Sequence, residues 1–160
     1  MVKLLLDTTY LLPLFGVKVK LREYDKCFPQ LLSHYEAYYS PLSLVEAKWI
    51  ILKLGKKLKN KDAERVLLKE YRAGLDTLLQ DRRINQIIMT NSIIEEIADE
   101  LLGYGVHDYF DRTIYATACY YKAVLLTEDE ELHKLYESID NEKMKPKKIM
   151  NWSSLLEEFL

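Results

Sequence analysis

The stretch VKLLLDTTYLLPLF, residues 2–15, carries the first decision about this chain. Val2 to Leu6 is a short apolar run of the kind that forms a strand buried on both faces, and Asp7 stands immediately after it. A second run, AVLLTEDEEL at residues 123–132, repeats the arrangement, with Ala123 to Leu126 as the strand and Asp129 just beyond Thr127. Between them, weaker strands are expected at Tyr35 to Tyr39 and Ile84 to Met89, and an edge strand at Lys148 to Met150. Segments of helical period separate the strands. Strand–helix alternation of this kind predicts a parallel sheet with right-handed crossovers and helices on both faces, a three-layer α/β/α fold.

Local signals place the helices. Thr8 to Phe15 reads as a helix closed near Gly16, and Arg22 to His34 as an amphipathic helix that Pro29 must kink or restart. Ser40-Pro41 opens a helix that reaches about Leu54 and stops near Gly55, with Ser40 as cap and Pro41 as first helical residue. Lys56 to Lys61 reads as a basic turn and Asp62 to Leu79 as the next helix. Asn91 caps a helix to Leu102 that Gly103 and Gly105 end. Asp108 to Tyr121 forms a helix with a small-residue face, Thr127 and Glu130 form a capping box for the following one, and a short helix starts at Ser153.

The 160 residues fit one domain spanning 1–160, with no repeat and no Pro/Gly-rich linker. Apolar residues make up 49% and charged residues 30%, a globular composition without the roughly 20-residue apolar window of a membrane span. The apolar N-terminus superficially imitates a secretion signal, but Asp7 interrupts it and no small-residue cleavage site follows. Cys27 and Cys119 have no CxxC spacing and read as buried thiols of a cytoplasmic protein. The formal net charge is -2, so binding to nucleic acid would depend on local basic patches and bound metal rather than one broad basic face.

In parallel α/β sheets the ligand site lies beyond the carboxyl ends of the strands. Asp7 and Asp129 both belong at that rim, where two carboxylates repel and raise each other's pKa unless a cation compensates. A hard divalent cation with oxygen ligands is the natural compensation. Glu46, in the first turns of the Ser40 helix, and Asp111, in the first turn of the Asp108 helix, lie near the same rim. Each acid also has a structural reading, since helix N-termini favour negative charge whatever the function. Asp108 competes with Asp111, as cap, as ligand or as both.

The order of these patterns resembles the PIN-domain family, and within it the VapC-like toxin nucleases. VKLLLDTTYLLPLF is similar to the family's opening strand and first acid, Asp7, with Thr9 in the place of a supporting hydroxyl. SPLSLVEAKWI, residues 40–50, is similar to the second motif, with Glu46, and DRTIYATACYYKAVLLTEDEEL, residues 111–132, to the third and fourth, with Asp111 and Asp129. The chain departs from compact VapC toxins in a longer stretch between Glu46 and Asp111 and in a fourth motif without a closing aromatic.

The resemblance implies Mg²⁺- or Mn²⁺-dependent hydrolysis of RNA phosphodiester bonds. Asp7 and Asp111 would hold the main metal and Glu46 would orient its waters. Asp129 would complete a second site or tune the first, and Thr127 and Thr9 would fix carboxylate rotamers. It also implies an RNA substrate and a small antitoxin partner. Helices rich in apolar and aromatic residues suggest a homodimer. Two rival enzymes fit less well. An aspartyl-nucleophile phosphatase would want a second acid where Thr9 stands, and a dinucleotide-binding domain would need a glycine-rich loop after the first strand.

Overall fold

A computed structural model describes residues 1–159. Five parallel strands form one sheet: β1 (Val2–Leu6), β2 (Tyr35–Tyr39), β3 (Ile84–Gln86), β4 (Val124–Leu126) and β5 (Lys148–Met150). Their order across the sheet is β3-β2-β1-β4-β5. The chain therefore builds outward from β1 on one side, through β2 to β3, and then returns to place β4 against β1 on the other. That reversal separates the connections leaving β1 and β4 and opens a crevice at their carboxyl ends.

Seven helices cover the sheet: α1 (Tyr24–His34), α2 (Pro41–Leu58), α3 (Lys61–Gln80), α4 (Ser92–Leu102), α5 (Tyr109–Tyr121), α6 (Glu130–Ser138) and α7 (Trp152–Phe159). The pleat sends Leu4 and Leu6 to one face, where they join Leu31 of α1, Ile51 of α2, Tyr71 of α3 and Leu155 of α7. Leu5 points to the other face and joins Leu101 of α4, Ile114 and Ala118 of α5, and Leu132 of α6. The structure is thus the expected three-layer α/β/α sandwich. Leu4, Leu5 and Leu6 are fully buried, each contributing about 1.5–3 kcal/mol by burial.

Several local expectations change. Residues 8–15 form two 3₁₀ turns, Thr8–Tyr10 and Leu12–Phe15, rather than one helix. Asp7 caps the first turn, and Pro13 and Gly16, the latter at φ 84°, bound the second. Pro29 does not restart a second element, because α1 is continuous across it. Gly55 does not stop α2. The helix runs on to Leu58, and Gly55 is the point where α2 meets the Glu64 side chain of α3. The basic turn shrinks accordingly to Lys59 and Asn60, with Asn60 accepting hydrogen bonds from the Asp62 and Ala63 amides to start α3. Gly74 lets α3 lie directly on the backbone of the second 3₁₀ turn, since a Cβ there would sit 2.1 Å from the Leu14 carbonyl oxygen. The third strand is shorter than expected and ends at Gln86. Asn151, not Ser153, begins the last helix, through hydrogen bonds to its side chain from the Ser154 amide and hydroxyl.

Candidate metal centre at the β1–β4 crevice

Asp7 leaves β1 with its amide still in the sheet ladder, donating to the Leu126 carbonyl of β4 at 3.0 Å. Its side chain is 9% exposed, and each oxygen accepts one hydrogen bond and keeps a further lone pair. Oδ1 accepts from the Thr8 amide at 2.7 Å, and Oδ2 accepts from the Thr127 hydroxyl at 2.6 Å. The Thr127 oxygen in turn accepts from the Asp129 amide at 3.1 Å. One buried hydroxyl thereby ties the end of β1 to the turn after β4, across 120 residues of sequence. His133 of α6 completes the brace, with Nε2 at 2.9 Å from the Thr127 carbonyl; a neutral carbonyl only accepts, so this nitrogen carries the proton.

These bonds revise the expected capping box. Asp129, not Thr127, caps α6, its Oδ1 accepting from the Glu131 and Leu132 amides, while Thr127 turns inward to Asp7. Thr9 is half-buried, and among the described residues its hydroxyl makes no hydrogen bond to any of the acids. Thr8 lies closer: its hydroxyl partly offsets the effect of burial at Glu46, although it falls outside hydrogen-bond geometry to any group.

Glu46 projects from the second turn of α2, whose start is fixed by Ser40 accepting from the Leu42 amide at 3.2 Å. Asp108 caps α5 through Oδ1, which accepts from the Asp111 amide at 3.1 Å and leaves Oδ2 free. Glu46, Asp108 and Asp111 each bring one carboxylate oxygen within 4.8 Å of the other two. Asp7 falls outside this trio by that measure, but its charge and that of Asp129 both reach Asp111. Asp108, an alternative to Asp111 in the sequence, thus accompanies it, because an aspartate cap sits one turn below the acid three residues on.

The electrostatics show that all five carboxylates share one field. Burial raises the Asp111 carboxyl, and Asp108, Asp129, Asp7 and Glu46 push it further, to about 7. Burial also raises Glu46, with Asp7 and Asp108 adding to it. Asp7 is raised by burial and by Asp129 and Asp108, against the lowering effect of its hydrogen bonds to Thr127 and Thr8. Among the described residues no ion pair involves any of the five. The nearest arginine along the chain, Arg112, donates instead to the His107 carbonyl at 2.7 Å and lies over the Tyr109 ring.

An uncompensated carboxylate group of this size costs stability unless a cation joins it. The donor set is all oxygen and includes free carboxylate atoms from two helix starts, which suits a hard divalent ion such as Mg²⁺ or Mn²⁺. The buried hydroxyl of Thr8, next to Asp7 in the chain and near Glu46, has no partner, as expected of a group that a hydrated ion would satisfy. The residues present therefore fit a metal.

Comparison with known proteins agrees with this architecture. No curated protein matches the sequence. Among solved structures, PAE2754 from Pyrobaculum aerophilum superposes with a TM-score of 0.61 at 17% identity, covering 98% of this chain and 94% of that one. VapBC2 from Rickettsia felis, solved bound to a DNA fragment from its promoter, gives 0.59 at 18% identity over 94% of this chain and 98% of that one. FitAB bound to the IR36 DNA fragment gives 0.59 at 16% identity, over 93% and 94%. At such identities the likeness is one of fold. The family profile of the PIN domain matches residues 4–138, which include all five acids, and on that match the chain belongs to the PIN domain family.

Proposed function

We propose that this protein is a divalent-metal-dependent endoribonuclease that hydrolyses RNA phosphodiester bonds. The observation that carries the reading is the meeting of five carboxylates, from Asp7, Glu46, Asp108, Asp111 and Asp129, in one crevice with no basic partner. Asp7, Glu46 and Asp111 would hold Mg²⁺ or Mn²⁺, with Asp108 as a further ligand beside Glu46 and Asp111. When bound, the cation supplies charge neutralisation at the scissile phosphate and lowers the pKa of the attacking water. Asp7 is held in one rotamer by the Thr8 amide and the Thr127 hydroxyl. Asp129, whose charge reaches Asp7 and Asp111, would complete a second cation site or tune the first. Burial around Asp7 and Thr127 keeps this side of the crevice dry, which strengthens every charge interaction within it.

The likeness in fold to the VapBC2 and FitAB structures supports a small antitoxin as partner, covering the acidic rim. Exposed Ile93, Leu102, Tyr104 and Tyr120 around α4 and α5 support a homodimer, and a strict monomer in light scattering at micromolar concentration would end that part of the reading. No helix among the described residues is long and apolar enough to cross a membrane, which is consistent with work in the cytoplasm.

The test is cleavage of a panel of single-stranded and structured RNAs with Mn²⁺, Mg²⁺ or EDTA. Asp7→Asn and Asp111→Asn proteins are prepared in parallel. Metal-dependent cutting abolished by both substitutions is the expected result. Cutting that survives both, or that EDTA does not stop, would overturn the assignment.

A further inference from the structure

The helix that supplies Glu46 has a second feature that the cleavage chemistry does not use. Trp49, one turn beyond Glu46, is 60% exposed, the most exposed aromatic side chain of the described residues and far more open than a globular surface requires of tryptophan. Residues 48–61 then carry six lysines and no acid, in a chain whose net charge is -2. Among the described residues none of these lysines forms an ion pair. Lys48 lies over the Tyr71 ring at 4.6 Å, while Lys53, Lys56 and Lys57 stand in solvent.

Helical geometry puts these side chains in one row. At 100° per residue, Glu46, Trp49, Lys53 and Lys56 fall within an arc of roughly 80°, spaced three, four and three residues apart. At about 1.5 Å per residue the row runs about 15 Å from Glu46 to Lys56, in the last turn of α2. Its order is carboxylate, exposed aromatic face, then free ammonium groups.

Resting on the reading of this chain as a ribonuclease, we propose that this α2 row is its single-strand track: Trp49 stacks a base of the nucleotide next to the scissile phosphate, and Lys53, Lys56 and Lys57 neutralise successive phosphates beyond it. The charge pattern selects the occupant. The five-carboxylate crevice repels a polyanion, so an acidic protein needs a local cationic path that leads into the crevice from outside. An exposed indole beside such a path is the sequence-tolerant stacking platform that single-stranded nucleic acid uses. The path also requires unstacked bases, so a single strand is preferred over a duplex.

The test separates binding from cutting. Binding of a fluorescein-labelled single-stranded oligouridine, and of a blunt RNA duplex of equal length, is measured in EDTA on Asp111→Asn protein. Trp49→Ala, Trp49→Phe and a Lys53→Gln/Lys56→Gln/Lys57→Gln triple are then added to that background. The protein has two tryptophans, and the other, Trp152, is 2% exposed, so quenching of emission by unlabelled oligouridine reports Trp49. Trp49→Ala is expected to weaken oligouridine binding at least about fivefold and to abolish quenching, with Trp49→Phe retaining most of the affinity and the duplex little changed. The lysine triple is expected to lower the slope of log affinity against log salt by about 2. Unchanged oligouridine affinity in both the Ala and the triple variants would overturn the track. If a peptide partner then proved to protect Trp49 from quenching, the row would be a protein-docking face. Metal-dependent cutting by the otherwise wild-type protein, followed separately, shows whether the nuclease reading stands when the track does not.

Discussion

Replacing Asp111 by asparagine should have opposite effects on stability and on function. In the metal-free protein the Asp111 carboxyl is raised from the ordinary 3.8 to about 7, first by burial and then by four neighbouring acids. An acid raised in the folded state binds its proton more tightly there than in the unfolded chain. Its ionisation therefore contributes nothing unfavourable below about pH 4 and progressively destabilises the fold as pH rises towards and through 7. At about 1.4 kcal/mol for each tenfold change in acidity, the full rise would amount to roughly 4 kcal/mol. Asp111 is only about half buried, and solvent screening reduces this to about 1–2 kcal/mol. Asparagine keeps the shape and removes the charge. In EDTA at pH 7.5 the Asp111→Asn protein should therefore melt higher than wild type, by about 2–8 °C for a domain of this size. The difference should shrink to about a quarter by pH 4.5 and to near zero below about pH 3.5. With Mn²⁺ present at a hundredfold excess over its dissociation constant the wild type should gain about 2.7 kcal/mol and overtake the variant, which has lost a ligand. Scanning calorimetry across pH, with EDTA and with Mn²⁺, measures all of these. A variant less stable than wild type in EDTA at pH 7.5, or an equal Mn²⁺ gain in both proteins, would refute the reasoning.

Other substitutions test other joints. Thr127→Val keeps the shape but strands Asp7 Oδ2 and the Asp129 amide; it should cost about 1–3 kcal/mol in urea unfolding and sharply reduce metal-dependent cutting, whereas Thr127→Ser should retain most of both. Gly74→Ala drives a methyl into the Leu14 carbonyl and should destabilise by at least about 1–3 kcal/mol, while Gly103→Ala, whose Cβ would meet only the Glu100 carbonyl at 3.3 Å, should cost less in the same assay. Asn60→Ala removes the cap of α3 and should cost about 1 kcal/mol with cleavage unchanged, since Asn60 lies at the far end of α2 from the acids.

Much of this protein is legible in its sequence because local physics acts over a few residues. An apolar run ending in an acid reads as a buried strand with a functional tip, and Val2 to Asp7 and Val124 to Asp129 both do so without reference to anything distant. Ser40-Pro41 and Asn91 announce their helices, because a cap satisfies amides two or three residues away. The alternation of these elements is enough to predict the layered sandwich, and the order of four acids along the chain enough to suggest the family.

What the tertiary structure alone decided is which groups meet. Gly55 reads as a helix stop from propensity, yet it continues α2 because Glu64 of α3 needs the space a side chain would fill. Residues 8–15 have the composition of a helix but tighten into 3₁₀ turns, since Asp7 caps the first and α3 lies against the second at Gly74. The acids divide in a way no spacing reveals. Thr127 donates to one oxygen of Asp7 across 120 residues while the Thr8 amide donates to the other, and the α5 cap brings Asp108 beside Glu46 and Asp111. Periodicity records the direction of each side chain relative to its own element; the sheet order that sets β4 beside β1, and so the charges that share one crevice, is a property of the packed whole.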